Sequence, residues 1–579
     1  MTALAGMLER TGLALGLILS RVLAWGAARP WRGPLIAGLV ALAAALPGTA
    51  SLPVTDRDEG RFVQATKQML ETGEYVDIRF QDAPRWKKPI GIYWLQAGAA
   101  LPFGGASAPI WAYRLPSVLG IVLAAMATVW ALRPLIRPEA AILAGMAFGT
   151  IVLAAAEATI AKTDAAMALT AVLAFGALAR VCSETTTRFT WLVFWLAMAG
   201  AVLLKGPVIP TIAVLALVAF LLLRRAQRFE LPDLAPLRPI PGLVLTAALV
   251  APWLSAIWVI SDGAFFEEAV GRDLLGKVAE GQEKHWGPPG LYSAIVWGTF
   301  WPWAAFLPGA VGLAWGARNR WRSRLPIVFF AAWVLPFWLV LELVPTKLPH
   351  YVLPLYPALA ALVAWYITRG LAPGSRWMRR LSALLSTLPG VVLGTAALVL
   401  PIALEGHPAP LAALFGILGA FLALAAGRAA LDGNLRAQAG ASIAAALAIF
   451  VAVLQFGLPS LGTAFATPRL VALAEPYRAC AAGPLVSLGY REPSLVFRAG
   501  TDTLLARPEE AAAALNTEPG TLLLLEGRSA RSLAEARGPD APPLIGHGSH
   551  SYFNYNRGRT ETVTLMTRDD PRFDACRPR

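Results

Sequence analysis

The sequence predicts an all-α membrane protein with a small α/β domain at its carboxyl end. Of its 579 residues, 56% are hydrophobic and only 15% are charged, whereas a soluble domain carries about 25% charged residues. Apolar runs recur between residues 34 and 456, and many approach the ~20 residues that cross a bilayer as a helix. After residue 456 the pattern changes to short segments typical of strands.

The first apolar stretch, from about residue 12 to 28, differs from the later ones because it contains Arg21 and Trp25. It lacks the small-residue cleavage site of a removed signal peptide. We therefore expect residues 1–33 to form a cytoplasmic segment with an interfacial helix. Its arginines would then stay on the cytoplasmic side of the membrane.

About thirteen membrane spans are predicted after this segment, at residues 34–50, 113–132, 139–157, 165–180, 190–204, 207–223, 241–260, 290–315, 326–344, 350–368, 381–404, 410–427 and 438–456. Short arginine clusters follow the even-numbered spans. The positive-inside rule then places the amino terminus in the cytoplasm and the carboxyl terminus outside. The same clusters account for most of the net charge of +14, so nucleic acid is excluded as a partner and membrane lipids are expected.

Most other charged residues near the spans fall on the opposite, outer face. "IAKTDAAMAL" contains a single Asp and "VLLKGPVI" a single Lys, each surrounded by apolar residues. Charges at membrane depth are costly and are usually kept for function. We therefore predict one composite site on the outer face, with charges from five connections that include Glu157, Lys162, Asp164, Lys205, Lys347 and His350.

Two outer loops of the 34–456 domain are long, at residues 51–112 and 261–289. The first contains "DEGRFVQATKQMLETGEY", whose apolar residues are spaced as on a helix lying on the membrane. It continues with "APRWKKPIGIYWLQAGAALPFG", which predicts a half-helix too short to span. The second loop carries acids together with Arg272 and His285. Long outer loops of mixed charge commonly form binding sites.

Five motifs then occur in order between residues 34 and 370: "DRDEGRF", "LETGEYVDIRFQDAPRWKKPIGIYWLQA", "KTDAAMAL", "LLKGP" and "PTKLPHYVLPLYPALA". Together they resemble the polytopic glycosyltransferases of the C-type (GT-C) fold, in the aminoarabinose transferase and protein O-mannosyltransferase-like branch. The resemblance implies an inverting enzyme in the bacterial inner membrane. It would take a sugar from a polyprenyl (undecaprenyl) phosphate on the periplasmic side and pass it to lipid A, another envelope glycan or a protein.

This chemistry suits the residues. A departing phosphate needs positive charge where negative charge develops, and the candidates are Lys88, Lys205, Arg272 and Lys347, joined by Lys87. By resemblance, Tyr351 adds a hydroxyl donor. An acceptor hydroxyl needs a base, and Asp58 matches the acid that follows the first span in the family. Asp164 matches the second acid, which either orients the acceptor or holds the basic residues.

Two departures from the family pattern affect the substrate. Lys87–Lys88 stands where aminoarabinose transferases have Glu-Lys, and Ala269 stands where they have a histidine three residues before the loop arginine. Those absent groups would suit a metal or an amino sugar. We therefore expect no metal and no cofactor, and a donor other than aminoarabinose. The extra lysine would suit an acidic sugar. His285 either contacts the ligand or is structural.

Residues 457–579 are predicted to form the outer α/β domain, with strands in "GPLVSLGY", "TLLLLEGR" and "TETVTLMT" and a helix in "PEEAAAALN". We expect it to cover the site or to dock the acceptor. Cys480 and Cys576 would both lie in an oxidising compartment, where a disulfide between them is plausible. Cys182 would lie on the cytoplasmic side.

Two further functions are compatible with such a chain. A transporter or flippase of lipid-linked sugars would place its charges near the middle of the bilayer and often contains internal repeats, whereas these charges gather at one face and no repeat is found. A catalytically silent homologue that only binds the carrier would not need both Asp58 and Asp164. The transferase is therefore favoured.

Overall fold

The computed structural model describes residues 2–55, 58–226, 231–276, 286–316, 325–370, 375–554 and 557–576. The amino-terminal half is helical and ends with α11. Its helices are α1 (Thr2–Ala27), α2 (Arg32–Ala45), α3 (Asp58–Thr72), α4 (Gly91–Ala100), α5 (Ile110–Leu132), α6 (Pro138–Gly149), α7 (Val152–Ala158), α8 (Thr163–Cys182), α9 (Thr190–Lys205), α10 (Val208–Ala226) and α11 (Pro239–Ser261).

The second half of the membrane domain begins with a short helix that continues as a π-helix over Glu267–Leu275. A 3₁₀ turn, Pro349–Leu355, precedes α16 and contains Pro349 and Pro354, residues that disfavour a continuous α-helix. The helices are α12 (Ala264–Phe266), α13 (Leu291–Thr299), α14 (Leu307–Gly316), α15 (Leu325–Leu343), α16 (Tyr356–Arg369), α17 (Arg376–Glu405), α18 (Pro410–Leu431) and α19 (Leu435–Phe450).

The prediction of a polytopic helical membrane protein is confirmed. Within the described residues, ten helices are long and apolar enough to cross a membrane, and two bent pairs raise the number to twelve. The bent pairs are α6–α7, with an angle of 57°, and α13–α14, with an angle of 113°. The shorter apolar helices α2 and α9 occupy two further predicted spans.

Helix α1 has the length and composition of a span, but its contacts favour the predicted interfacial position. Gly16, in the middle of α1, lies against Ala437 in the first turn of α19, and Gly26 lies against Ile142 near the start of α6. The arginine pattern assigns both of these helix starts to the cytoplasm. Since the middle of α1 meets the ends of spans, the helix runs across the end of the bundle that the arginine pattern assigns to the cytoplasm.

The first outer loop is more buried than the sequence suggested. Helix α3 buries the predicted apolar residues Phe62, Ala65 and Met69, and α4 is the expected short helix beside it. The opposite side of α3, however, is also covered, because Gln64 and Thr66 are fully buried. A helix resting on a membrane surface would keep these polar residues in water. Between α3 and α4 lies a small hairpin of β1 (Arg79–Phe80) and β2 (Ala83–Pro84).

The carboxyl-terminal domain contains a five-stranded sheet of β3 (Val486–Leu488), β4 (Leu504–Ala506), β5 (Leu523–Glu526), β6 (Leu544–Asn554) and β7 (Arg559–Arg568). The strand order is β4-β3-β5-β7-β6. Strand β3 runs parallel to β4 and β5, whereas β7 pairs antiparallel with β5 and β6. The helices of this domain are α20 (Ala466–Ala474), α21 (Pro493–Ala499), α22 (Pro508–Thr517) and α23 (Ala530–Arg537).

The three predicted strands and the predicted helix of this domain are present, and β4 and β6 are additional. The disulfide between Cys480 and Cys576 is also present and joins residues 96 positions apart. It ties the end of the described chain to the segment that follows α20, beside a buried cluster that contains Tyr477 and Phe573.

The carboxyl-terminal domain covers the outward side of α3. Gly60 lies so close to the main chain of Ser494 that a β-carbon would be 2.8 Å from its nitrogen. Gln64 donates to the Thr501 hydroxyl at 2.8 Å, and Lys67 donates to the Phe497 carbonyl at 3.0 Å. These contacts explain why α3 is buried on two sides.

Candidate active site

An open cavity of about 620 Å³ lies between the two long outer loops. Residues of the first loop meet residues of the π-helical stretch that begins the second loop. Four cations and two carboxylates line it, so the lining carries a net charge of +2. The lining residues are Arg61, Phe80, Pro84, Arg85, Trp86, Lys87, Ala264, Glu267, Glu268 and Arg272.

The walls of this cavity differ in rigidity. Trp86 is held by a 2.8 Å hydrogen bond from its indole nitrogen to Asp77, which also accepts from Arg79. Arg272 lies on the other wall and is the most exposed of the cations, with a side chain 79% accessible. It pairs with Glu268 at 3.2 Å, one helical turn away. The geometry thus brings together Lys87 and Arg272, which are far apart in sequence.

Asp58 is the first residue of α3 and is exposed. It lies three residues before Arg61, about one helical turn, and Arg61 lines the cavity. The negative charge of Asp58 also acts on the buried Lys162. Asp58 is therefore an accessible carboxylate that is near the cationic cavity along α3 and within electrostatic range of a buried group of charges.

Its neighbour Glu59 has a different role. Glu59 and Arg114 of α5 form a fully buried ion pair with distances of 2.7 and 2.9 Å, which we call the clamp. Glu59 also accepts hydrogen bonds from Thr55 and from the Ala161 amide. The remaining Arg114 donors bind main-chain carbonyls at the end of the first span, those of Gly48, Thr49, Leu52 and Pro53.

The clamp fixes three segments relative to one another: the end of the first span, the start of α3, and the connection before α8. Burial alone would raise the pKa of Glu59, but Arg114 and the main-chain amides lower it below its ordinary value. The carboxylate therefore stays charged at neutral pH. Glu59 is therefore not a solvated charge of the loop, because its side chain has no exposed surface.

A second group of buried charges, which we call the open cluster, consists of Glu157, Lys162, Asp164, Lys205 and His350. Lys162 lies 3.0 Å from Glu157 and 3.9 Å from Asp164, and Lys205 lies 2.5 Å from the other oxygen of Asp164. The five side chains come from α7, the α7–α8 connection, α8, α9 and the 3₁₀ turn before α16. All five side chains are 12% exposed or less.

His350 connects the two halves of the open cluster. Its Nδ1 lies 3.2 Å from the ammonium of Lys162, and its Nε2 lies 3.8 Å from Asp164. An ammonium group only donates, so Nδ1 accepts and the neutral ring carries its proton on Nε2. The positive charge of Lys88 also acts on this ring. Lys88 thus belongs beside the open cluster, whereas its neighbour Lys87 lines the cavity.

The close approach of two helices places Asp164 here. Gly120 of α5 faces the main chain of Ala165, where a β-carbon would come within 2.7 Å of the Ala165 carbonyl. Small residues at such contacts let membrane helices approach closely. Asp164 directs its oxygens at Lys205 and towards Lys162, which favours the expectation that it holds the basic residues over the expectation that it orients an acceptor.

Tyr351 also reaches this region, because the ammonium of Lys205 lies 5.2 Å from the centre of its ring. Such a distance is within the range of cation–π attraction. The aromatic face of Tyr351 therefore helps to hold Lys205, in addition to the hydroxyl donor that the family resemblance implied.

Lys347 does not join the other predicted cations. Its ammonium donates to three main-chain carbonyls at the carboxyl end of α15, those of Leu341, Glu342 and Val344, at 2.7 to 2.9 Å. Its burial lowers its pKa. These bonds use all three donors of the ammonium group. The geometry therefore makes Lys347 a helix cap, and its binding of phosphate stays a prediction. His285 lies outside the described residues.

Sequence reasoning noted Glu157, Lys162 and His350 as charges of the outer face but gave them no role, and it missed Arg114. A signal for Arg114 was available, because it is a lone arginine in the apolar segment "IWAYRLPSV". The same reasoning that singled out Asp164 and Lys205 applies to it. Arg61, which belongs to the first motif "DRDEGRF", lines the cavity.

Comparison with known proteins gives one family match. The family described as "Dolichyl-phosphate-mannose-protein mannosyltransferase" matches residues 58–234. This region contains Asp58, Lys87, Lys88, and all of the open cluster except His350.

Relatives of known name match a longer region. The chain is 28% identical over 357 residues to "Undecaprenyl phosphate-alpha-4-amino-4-deoxy-L-arabinose arabinosyl transferase" of Erwinia tasmaniensis, covering 61% of this chain and 62% of the relative. It is 27% identical over 363 residues to the protein of the same name from Edwardsiella ictaluri, with the same coverage. The chain thus covers about three fifths of the length of these relatives.

A solved structure matches nearly the whole chain. It is ArnT from Cupriavidus metallidurans bound to undecaprenyl phosphate, with a TM-score of 0.68 and 18% identity. The match covers 92% of this chain and 97% of that protein. This likeness shows the fold, which includes the carboxyl-terminal domain. The fold expected from the five motifs is therefore confirmed.

Proposed function

We propose that this chain is a membrane glycosyltransferase that moves a sugar from a polyprenyl phosphate to an envelope acceptor, such as lipid A or another glycan. The reaction would take place on the periplasmic side of the bacterial inner membrane. One observation carries the proposal: a cavity with net positive charge opens between the outer loops, one helical turn from an exposed carboxylate. The fold, the family match over residues 58–234 and the names of the relatives support it.

The cavity suits a lipid-linked phosphate. Negative charge develops on the phosphate as its bond to the sugar breaks, and fixed cations stabilise that charge most strongly where water is excluded. Lys87, Arg85 and Arg61 come from one wall and Arg272 from the other. Arg272 already pairs with Glu268, so it would exchange this partner for the phosphate. Phe80 and Trp86 supply apolar surface for the first part of the lipid.

Asp58 is placed to act as the base. As the acceptor hydroxyl attacks the anomeric carbon, its proton passes to the carboxylate, and the sugar–phosphate bond breaks with the electron pair leaving on the phosphate. Attack from the face opposite the phosphate inverts the configuration. A positioned base contributes about 10²–10⁴-fold to such a step. Asp164 and Lys205 would hold the floor of the site, since they are paired with each other and buried.

A protein acceptor is the second candidate. The family that matches residues 58–234 is described by transfer to protein, whereas the longer matches are named for transfer of an aminoarabinose. A flippase is disfavoured because the ionised groups of the cavity and of the open cluster belong to loops and helix ends.

Carrier binding tests the proposal. Undecaprenyl phosphate should bind the purified protein in nanodiscs, and Lys87→Gln or Arg272→Gln should weaken binding more than tenfold, or roughly 1.4 kcal/mol. Arg507→Gln is a matched control, because Arg507 is an exposed arginine of the carboxyl-terminal domain that pairs with Glu510. Unchanged carrier affinity in both cavity variants would contradict the assignment of this cavity to the phosphate.

The predicted orientation of the chain in the membrane can be tested with reporter fusions. A reporter fused after Arg380 should be cytoplasmic, and a reporter fused after Ala464 should be periplasmic. If both reporters lie on one side, the arginine-based orientation is wrong, and the cavity no longer opens to the periplasm.

A further inference from the structure

The open cluster contains one buried acceptor that no neighbour satisfies. The Oε1 oxygen of Glu157 faces Lys162, whereas its Oε2 oxygen accepts no hydrogen bond from any residue that the structure describes. The side chain is 95% buried. A buried carboxylate oxygen without a donor costs about 1–3 kcal/mol or more, and such groups in native proteins usually have a functional explanation or bind an additional molecule.

The position of Glu157 relates it to the proposed reaction. Its partner Lys162 is acted on by the charge of Asp58, and His350, which also contacts Lys162, is acted on by Lys88. Arg61, one helical turn after Asp58, lines the cavity, and so does Lys87, the residue before Lys88. The open cluster is therefore within electrostatic range of Asp58 and Lys88, beside the residues proposed to hold the phosphate and the base, and the sugar would be bound in this region.

The charges of the cluster indicate the kind of group that it binds. Glu157 and Asp164 balance Lys162 and Lys205, and His350 is neutral because its Nδ1 accepts from an ammonium. A neutral hydroxyl can donate to Oε2 and leave this balance unchanged. A protonated amine would add an uncompensated positive charge in a buried site, which is costly.

From these observations we infer that Glu157 determines sugar specificity by accepting a hydrogen bond from a neutral hydroxyl of the transferred sugar, with Lys162 and His350 holding the carboxylate in place. The inference rests on the proposed function, since it requires a sugar on the carrier. It also gives a physical reason for a donor that differs from the amino sugar in the names of the relatives.

The test compares three probes in nanodiscs: undecaprenyl phosphate, undecaprenyl phosphate glucose, and undecaprenyl phosphate 4-amino-4-deoxy-L-arabinose. The wild type should bind the glucose-bearing carrier at least fivefold more tightly than the bare carrier, and should not prefer the amino sugar. Glu157→Gln and Glu157→Asp should remove most of this preference while leaving bare-carrier affinity within twofold. Glu157→Asp keeps the charge that Lys162 needs, so one variant remains informative if the other does not fold.

Glu342→Gln is the matched control. Glu342 is a buried carboxylate at the end of α15, but its oxygens accept from Gly290, Tyr292 and Ser293. The Glu342→Gln variant should leave the preference for the glucose-bearing carrier unchanged. If bare undecaprenyl phosphate fails to bind the wild type, the proposed function itself fails. If bare carrier binds but both Glu157 variants keep the wild-type preference, or if the wild type prefers the amino sugar, only the inference about Glu157 is overturned.

Discussion

The clamp and the open cluster are two groups of buried charge at the same face of the molecule, and they differ in how completely they are satisfied. Glu59 in the clamp accepts five hydrogen bonds, and Arg114 uses every nitrogen. Glu157 in the open cluster has one ammonium neighbour and one unsatisfied oxygen. Burial and charge alone would have classed both groups as functional. The hydrogen-bond inventory separates a group that joins segments from a group that retains binding capacity.

The largest effect is expected in the clamp. Arg114→Met leaves the Glu59 carboxylate buried without its cationic partner, which typically costs about 3–5 kcal/mol of folding free energy. Denaturant unfolding of the detergent-solubilised protein measures this loss. The double variant Glu59→Leu/Arg114→Met should recover much of it, because an apolar pair can replace a buried ion pair at little cost. If Arg114→Met is as stable as the wild type, the clamp does not stabilise the fold.

Acidification tests the same pair without mutation. The pKa of Glu59 is lowered in the folded protein, so its stabilising contribution is fully present above the ordinary value of 4.5 and is lost as the pH falls through the lower folded value. Below pH 4.5 the wild type should therefore lose stability more steeply than the double apolar variant. If the stability of both proteins falls equally steeply with decreasing pH, Glu59 makes no such contribution.

The second effect concerns the exposed neighbour of the clamp. Asp58→Asn keeps shape but removes the base, so transfer to a hydroxyl acceptor should fall about 10²-fold or more, while stability stays close to that of the wild type because Asp58 is exposed. Asp82→Asn, an exposed carboxylate of the same loop, should retain activity. Near-normal transfer by the Asp58 variant, with an inactive Asp164 variant, would show that the base is the other carboxylate.

The third effect lies in the open cluster. Asp164→Asn removes the partner of Lys205 and leaves excess positive charge. We expect transfer to fall roughly tenfold, and stability to fall by about 1–3 kcal/mol, which is less than for Arg114→Met. The stability lost by Asp164→Asn, relative to that lost by Arg114→Met, shows how far the two groups of charge differ. If Asp164→Asn destabilises the protein as much as Arg114→Met does, the open cluster is as structural as the clamp.

The smallest effect is expected for Lys347. Its three bonds to carbonyls at the end of α15 contribute to folding alone, so Lys347→Met should cost about 1 kcal/mol of stability. Affinity for undecaprenyl phosphate should stay within twofold of the wild type. A tenfold loss of carrier affinity would restore the phosphate-binding role that the sequence predicted for this lysine.

Much of the fold was predictable because span lengths, arginine clusters and strand patterns are local features of the sequence. The burial of α3 was not, since its partners in the carboxyl-terminal domain are 430 residues away in the case of Lys67 and Phe497. Asp58 and Glu59 show the same limit at the scale of one residue. Adjacent residues of a helix point about 100° apart, so one faces solvent and the other faces Arg114, and only the tertiary structure decides which.

The residues of the candidate site were also only partly predictable from the sequence. Lone charges in apolar segments drew attention to Asp164 and Lys205, which pair with each other in the structure. Residue type did not reveal where a lysine points, so Lys347 was grouped with the phosphate binders although its side chain turns back to its own helix end. The unsatisfied oxygen of Glu157 depends on distances between three segments, and no sequence pattern records it.

The docking of the carboxyl-terminal domain on α3 has a consequence for the timing of biosynthesis. The ribosome makes the helix that carries Asp58 long before it makes the segment that covers it, around Ser494. At 5–20 residues per second, the 430 residues between Lys67 and Phe497 correspond to a delay of roughly 20–90 s. During this interval the side of α3 that faces Ser494 has no covering domain. The candidate active site would therefore be complete only after the carboxyl-terminal domain has been made and has folded onto α3.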